Sequence, residues 1–315
     1  MRQRSKARDT VQGPSVFGED YPAARLEATA CNIRRLSLQM IFRAGSGNPG
    51  GALSAAEVLA YLYFQELKLD VRRPGWPGRD RFILSKGHAF PSVYAALGLR
   101  GCFGPDPGKA WATFGNIDGM FQGHPHVVNF PWVETSTGSL GQGFSVAIGA
   151  VLELRARKLA NRIYVMLGGG ELQDGEVWEG AMCAGRQGLG NLCAIVDYNM
   201  TQSEDYNERI LSVEPLREKW EAFRWKVIEI DGHRFDEIHR ALAVARASRG
   251  PVVILSHTVR GKGVPFMEGL PCWNGSMKLR AEELSEALEA LGTPAPEISM
   301  ALAGTGFTYE ILDEC

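Results

Sequence analysis

The chain holds 315 residues, with 34 Lys and Arg against 36 Asp and Glu, a net charge of −2 and 45% hydrophobic content. That balance excludes a disordered chain, and it excludes a nucleic-acid binder working through bulk positive charge. No run comes near the ~18 apolar residues of a membrane-spanning helix, and the six cysteines, with no CxxC pair or zinc-ligand spacing, read as reduced thiols of a cytoplasmic protein.

Residues 1–20 carry Arg2, Arg4, Lys6 and Arg8 with no apolar segment behind them, and read as a flexible polar tail, not a signal peptide. Leu26, Ala30, Ile33, Leu36 and Met40 then recur at helical spacing as far as the break Gly45-Ser46-Gly47-Asn48-Pro49-Gly50-Gly51. Ser54 and Glu57, three apart and ahead of Val58, Leu59 and Leu62, predict a capping box at the start of a second helix. An Arg/Pro/Gly-rich surface connection fills 72–81, and Phe82-Ile83-Leu84 leads into Ser85-Lys86-Gly87-His88 and a helix around 90–98. Gly143–Leu154 is small and apolar nearly all round, which predicts a helix buried in the core. Strands are expected at Ile163–Leu167, Cys193–Asp197, Val227–Ile230 and Val252–Ser256, with a helix through Trp178, Ala181, Met182 and Ala184 between the first two. The last forty residues read as one amphipathic helix, about Ala281–Leu291, and a plain tail. This alternation predicts an α/β fold with a parallel sheet sandwiched between helices. Ligands of such sheets bind beyond the carboxyl ends of the strands, here the loops after Leu167 and Asp197.

Leu167-Gly168-Gly169-Gly170-Glu171 runs a strand through a glycine turn into a helix. Unpaired amides in such a turn can cradle an anion; the plainer alternative is a tight turn without a ligand. It is no dinucleotide fingerprint, because Gln173 stands where the last glycine belongs, and Gly261-Lys262 is followed by Gly263, so there is no P-loop either. Asn199, in Asp197-Tyr198-Asn199, carries a side-chain oxygen suited to a hard cation such as Mg²⁺, or else caps a loop. His88 and His124 sit in Gly-flanked turns, which predicts exposed imidazoles.

Taken in order, these segments resemble the N-terminal half of transketolase, in the split form whose other half is a separate subunit. The matching stretches are Gly50–Glu57, Arg79–Ala89, Gly123-His124-Pro125, Ser136–Gly143, Gly168–Glu179, Asn191–Asn199, Gly232-His233 and Thr258–Gly263, within residues 23–275. The resemblance implies a thiamine diphosphate-binding fold over 21–275 and a C-terminal helical extension over 276–315. It also implies thiamine diphosphate and Mg²⁺ as cofactors, and transfer of a two-carbon unit from a ketose donor to an aldehyde. By this likeness His88, Gly138, Ser139, Leu140, Gly168, Gly169, Gly170, Glu171, Asn199 and Asn274 would surround the cofactor. Asn199 and the carbonyl of Thr201 would ligate the metal, His88 and His124 would serve catalysis, and Asn48 and His124 would face the substrate. No second βαβ series follows the last motif, so the likeness implies an α2β2 assembly with a pyrimidine-domain partner subunit. The apolar helices near 144–154 and 176–187 are candidates for its interfaces; no nucleic-acid or membrane partner is implied.

Three positions depart from the family pattern. Gly169 stands at the metal-binding aspartate and removes an anionic oxygen, with Glu171 and Asp174 the nearest acids in sequence. Asn48 and Asn274 each replace a histidine, and an amide exchanges no protons near neutral pH. Two readings follow: a specialised transferase subunit with an unusual acceptor, or a non-catalytic subunit that keeps fold and interface. A 2-oxo-acid dehydrogenase E1-like subunit shares fold and cofactor but ranks lower, because Ser85–His88 and Ser136–Gly143 look like transketolase.

Overall fold

The computed structural model describes residues 22–128 and 130–310, so the expected N-terminal tail lies outside the described residues. Helix α1 (Ala23–Ala44) ends at Gly45, whose φ of 66° is a left-handed value that a residue with a Cβ adopts only under strain. After it come α2 (Pro49–Leu53), α3 (Ala56–Tyr61), β1 (Arg81–Leu84), α4 (Phe90–Leu99), α5 (Pro107–Trp111) and α6 (Gln142–Ala156). The central units are β2 (Ile163–Gly168), α7 (Gly175–Gln187), β3 (Leu192–Tyr198), α8 (Asn207–Ile210), α9 (Leu216–Ala222) and β4 (Lys226–Asp231). The described chain closes with α10 (Phe235–Ala247), β5 (Val252–His257), α11 (Ala281–Ala290) and α12 (Ala295–Ala303).

The five strands form one parallel sheet in the order β1-β2-β3-β5-β4. Successive side chains leave a strand on opposite faces, so each strand feeds two cores. Tyr164, Met166, Cys193, Ile195 and Ile254 face α1, α3, α4 and α10. Val165, Leu167, Ala194, Val196, Val253 and Leu255 face α6, α7 and α9. Each such apolar side chain taken out of water contributes roughly 1.5–3 kcal/mol. The four expected strands are present with ends shifted by a residue or so. A fifth, β1, reads in the sequence only as a lead-in; its four residues at the sheet edge are too few for a periodicity to register.

Three other expectations need correction. Ser54 and Glu57 form no capping box: α3 begins after Ala55, Ser54 turns inward to Asp197 (2.6 Å), and Glu57 pairs with Arg34 (2.6 Å) and His233 (3.0 Å). Burial alone would raise the Glu57 carboxyl, but the Arg34 charge and the His233 bond outweigh it and hold it at about 2. Helix α6 is apolar but not buried all round, since Val146 remains 44% exposed.

The tail after α11 is not plain. Helix α12 has Pro294 at its N-cap and Pro296 in its first turn, where no N–H is missed, and stops at a left-handed Gly304. The chain then returns along α1. Asn32 bonds both the N–H and the C=O of Glu310 at 2.8 Å, and Gln39 does the same for Thr308 at 2.9 Å. Phe307 and Tyr309, pointing the other way, pack edge-on against Trp111.

Candidate active site

A cleft of about 200 Å³ opens across the carboxyl ends of the strands. Lys86 and His88 enter it after β1, Gly168–Glu171 after β2, Asp197 and Asn199–Ser203 from β3 onward, and Arg260 after β5. Of the residues singled out in the sequence, His88, Gly138, Leu140, Gly168, Gly169, Gly170, Glu171, Asn199, Thr201 and Asn274 line it. Ser139 is exposed and lies outside the lining. His124 is exposed, as its turn predicts, and its ring packs over Gly138, where a Cβ would come within 3.2 Å of it. Asn48 stands one layer back, its Oδ1 accepting from the Gly51 N–H at 3.3 Å.

The floor is a buried polar cluster. Asp197 is 1% exposed and accepts from Lys86 Nζ, from Ser54 Oγ, from Thr258 Oγ1 and from Asn199 Nδ2 (3.1 Å). Burial pushes its carboxyl up, but the Lys86 ammonium and these hydrogen bonds prevail and keep it ionised. Lys86 also donates to the Gly51 carbonyl at 2.8 Å. Glu171, 1% exposed, accepts from Ser85 Oγ, from the Gly141 N–H (2.7 Å) and from the Gly168 N–H (3.0 Å), while burial raises its pKa. It thereby ties the glycine turn to the start of α6.

The His88 ring is not exposed, contrary to the expectation from its turn. Burial, followed by the nearby Lys86 and Arg260 charges, drives its pKa to about 3, so the imidazole is neutral at physiological pH. Arg260 lies within the matching stretch Thr258–Gly263, but as a lone arginine it has no spacing signature that singles it out as a site residue. It is 3% exposed, its Nε and Nη1 have no hydrogen-bond partner, and burial lowers its pKa to about 10, still cationic at pH 7. A buried charge without a partner is costly, and its persistence in the wall of a cleft marks a place for an anion.

The two asparagines that replace histidines touch each other. Asn48 Nδ2 donates to Asn274 Oδ1, and Asn274 Nδ2 donates in turn to Ser203 Oγ at 3.3 Å. Backbone bonds between Gly47 and Met277 in both directions, and from the Gly50 N–H to the Trp273 carbonyl (3.0 Å), zip the two loops together behind the amides. In the glycine turn, a Cβ at 170 would lie 3.1 Å from Gln202 Cβ, and one at 169 would lie 2.9 Å from Asn207 Nδ2. Both glycines thus let the loop after β3 close down on the turn after β2.

A cleft across the carboxyl ends of a parallel sheet, walled by an unpaired guanidinium, defines an α/β domain built to hold an anionic, phosphate-bearing group. Residues 26–302 match the family described as transketolase, thiamine diphosphate binding domain, and the chain belongs to it. It is 43% identical over 267 residues to the 6-deoxy-6-sulfo-D-fructose transketolase subunit SqwG of Clostridium sp. (strain MSTE9), covering 84% of this chain and 96% of that relative. It is 34% identical to an apulose-4-phosphate transketolase subunit of Phocaeicola vulgatus, covering 84% and 92%. Among solved structures, transketolase from Campylobacter jejuni superposes with a TM-score of 0.79 at 29% identity, over 88% of this chain and 46% of that one. The chain is a transketolase-type transferase subunit of the split kind, spanning about half the length of the single-chain enzymes it matches.

Proposed function

We propose that this subunit holds the diphosphate of thiamine diphosphate in the cleft after β1, β2, β3 and β5. Together with a pyrimidine-domain subunit it passes a two-carbon ketol unit from a ketose donor to an aldehyde. The observation that carries the reading is Arg260: a buried cation with two unpaired donors in the wall of a strand-end cleft. Thiamine diphosphate, when bound, supplies the electron sink for breaking the carbon–carbon bond beside a ketone. Arg260 and the backbone of the glycine turn hold and orient the diphosphate. His88 is neutral, so it positions by hydrogen bonding and adds no charge. His124, exposed beside Gly138, is the group placed to move protons at the reacting carbon. Asn48 and Asn274 orient hydroxyl groups without taking up protons.

The names of the two split relatives support a ketose donor with an anionic far end, a sulfonate or a phosphate. Residues 276–310 brace α1 as an extension, and the assembly is α2β2 in the cytoplasm. Mg²⁺ fits this chain poorly, because Gly169 supplies no side-chain oxygen. That missing carboxylate is also what favours the second reading, a non-catalytic partner subunit. Calorimetry of the full chain together with its pyrimidine-domain subunit decides between them: micromolar thiamine diphosphate binding supports the first, and none in any medium supports the second. Turnover of a ketose by the purified chain alone would overturn the need for a partner.

A further inference from the structure

Mg²⁺ takes a near-octahedral set of oxygens and is commonly bound by one or two carboxylates together with the phosphates it bridges. Both carboxylates in the wall of this cleft are already committed. Asp197 is engaged by Lys86, Ser54, Thr258 and Asn199, and Glu171 by Ser85, Gly141 and Gly168. Asp174, the other acid near the glycine turn, does not line the cleft. The space beside Gly169 is taken as well. Asn207, 2% exposed, sets its Nδ2 2.9 Å from where a Cβ at 169 would be, and neither of its side-chain polar atoms has a partner among the described residues. Asn199 Oδ1, the remaining side-chain oxygen expected to face a metal, accepts from Thr201 N (3.2 Å) and Thr201 Oγ1 (3.0 Å). Among the described residues no three His, Cys, Asp or Glu side chains converge on one point. Arg260, by contrast, offers two donors with no hydrogen-bond partner, and the attraction of Asp197, already paired with Lys86, does not offset the burial that lowers its pKa.

We propose that this subunit grips the diphosphate of its cofactor with its own guanidinium and backbone, without requiring a divalent cation. Gly169 and Asn207 stand behind this: the first lacks the carboxylate that would hold the metal, and the second occupies the space beside it. Losing that carboxylate also removes a negative charge that would repel the diphosphate, so Arg260 suffices where a cation would otherwise be needed to screen it. The proposal rests on the cofactor reading given above, and its test separates the two.

The full chain, purified with its pyrimidine-domain subunit, is titrated with thiamine diphosphate by calorimetry, once in Mg²⁺ and once in EDTA. The two Kd values are expected to agree within about threefold. A Kd more than about threefold weaker in EDTA overturns metal independence and leaves the cofactor reading standing; no binding in either medium overturns both. Arg260→Gln is expected to weaken binding by about tenfold or more in both media alike, and unchanged affinity would remove the guanidinium from the account. The double variant Gly169→Asp/Asn207→Ser is expected to acquire an Mg²⁺ dependence of about tenfold or more. If it stays as flat as its parent, the assignment to this pair of positions is wrong.

Discussion

Arg260 and His88 are both kept in the state that serves an anion, by opposite means. Arg260 stays charged despite burial, at a cost to the ligand-free protein. Arg260→Met is therefore expected to stabilise the ligand-free chain, by on the order of 1 kcal/mol or more, while weakening cofactor binding. Calorimetric scans with and without thiamine diphosphate would show the two effects with opposite signs. His88 is held neutral, with a folded pKa of about 3. Between that value and the unfolded value near 6.5 the unfolded chain binds the extra proton, so stability falls as the pH drops. From pH 7 to pH 5 the loss attributable to this ring is about 2 kcal/mol, and urea titrations of His88→Gln should lack that limb. Neither environment is visible in the sequence, where both His88 and Arg260 stand among glycines. Burial is a property of the loops that fold over them, and no local spacing encodes it.

Strands β2, β3, β4 and β5 are legible because each is a run of β-branched and apolar residues bounded by turn residues. Strand β1 is not, and its contribution is contact from another element. Gly143 of α6 lies so close to it that a Cβ would sit 2.7 Å from the Cα and Oγ of Ser85. Backbone cannot yield as a side-chain tip can, so Gly143→Ala should cost about 1–3 kcal/mol. The damage should also reach the cleft, because Ser85 Oγ bonds Glu171. Thermal unfolding checks the first effect, and cofactor affinity at a temperature where the variant is folded checks the second. The misread of Ser54 and Glu57 has the same origin. A capping box is a local pattern, but Asp197 and Arg34, distant in sequence, offer stronger charged partners for the same side chains.

Across the whole molecule, the cleft floor is supplied by the ends of four strands and the loops that follow them. Val146 and Met182 are 44% and 48% exposed, on α6 and α7, two helices that pack on each other. If these helices meet another subunit, as the family resemblance implies, Met182→Glu should lower the assembled mass by light scattering while leaving the far-ultraviolet circular dichroism of the chain unchanged. An unaltered mass would move the contact elsewhere. The overall architecture is legible from strand–helix alternation, and most of the site from the order of its motifs. The return of residues 304–310 along α1 is not, because nothing in a stretch this short and aperiodic announces that two amides some 270 positions earlier await it.

That return has a consequence for how the protein tolerates change. Asn32 and Gln39 hold peptide groups, so their grip is blind to which side chains residues 308 and 310 carry. A position-by-position survey would record a permissive Glu310 beside an intolerant Asn32, although the two are halves of a single seam. Such a contact tolerates exchange in the half whose backbone alone is gripped, and resists it in the half that does the gripping.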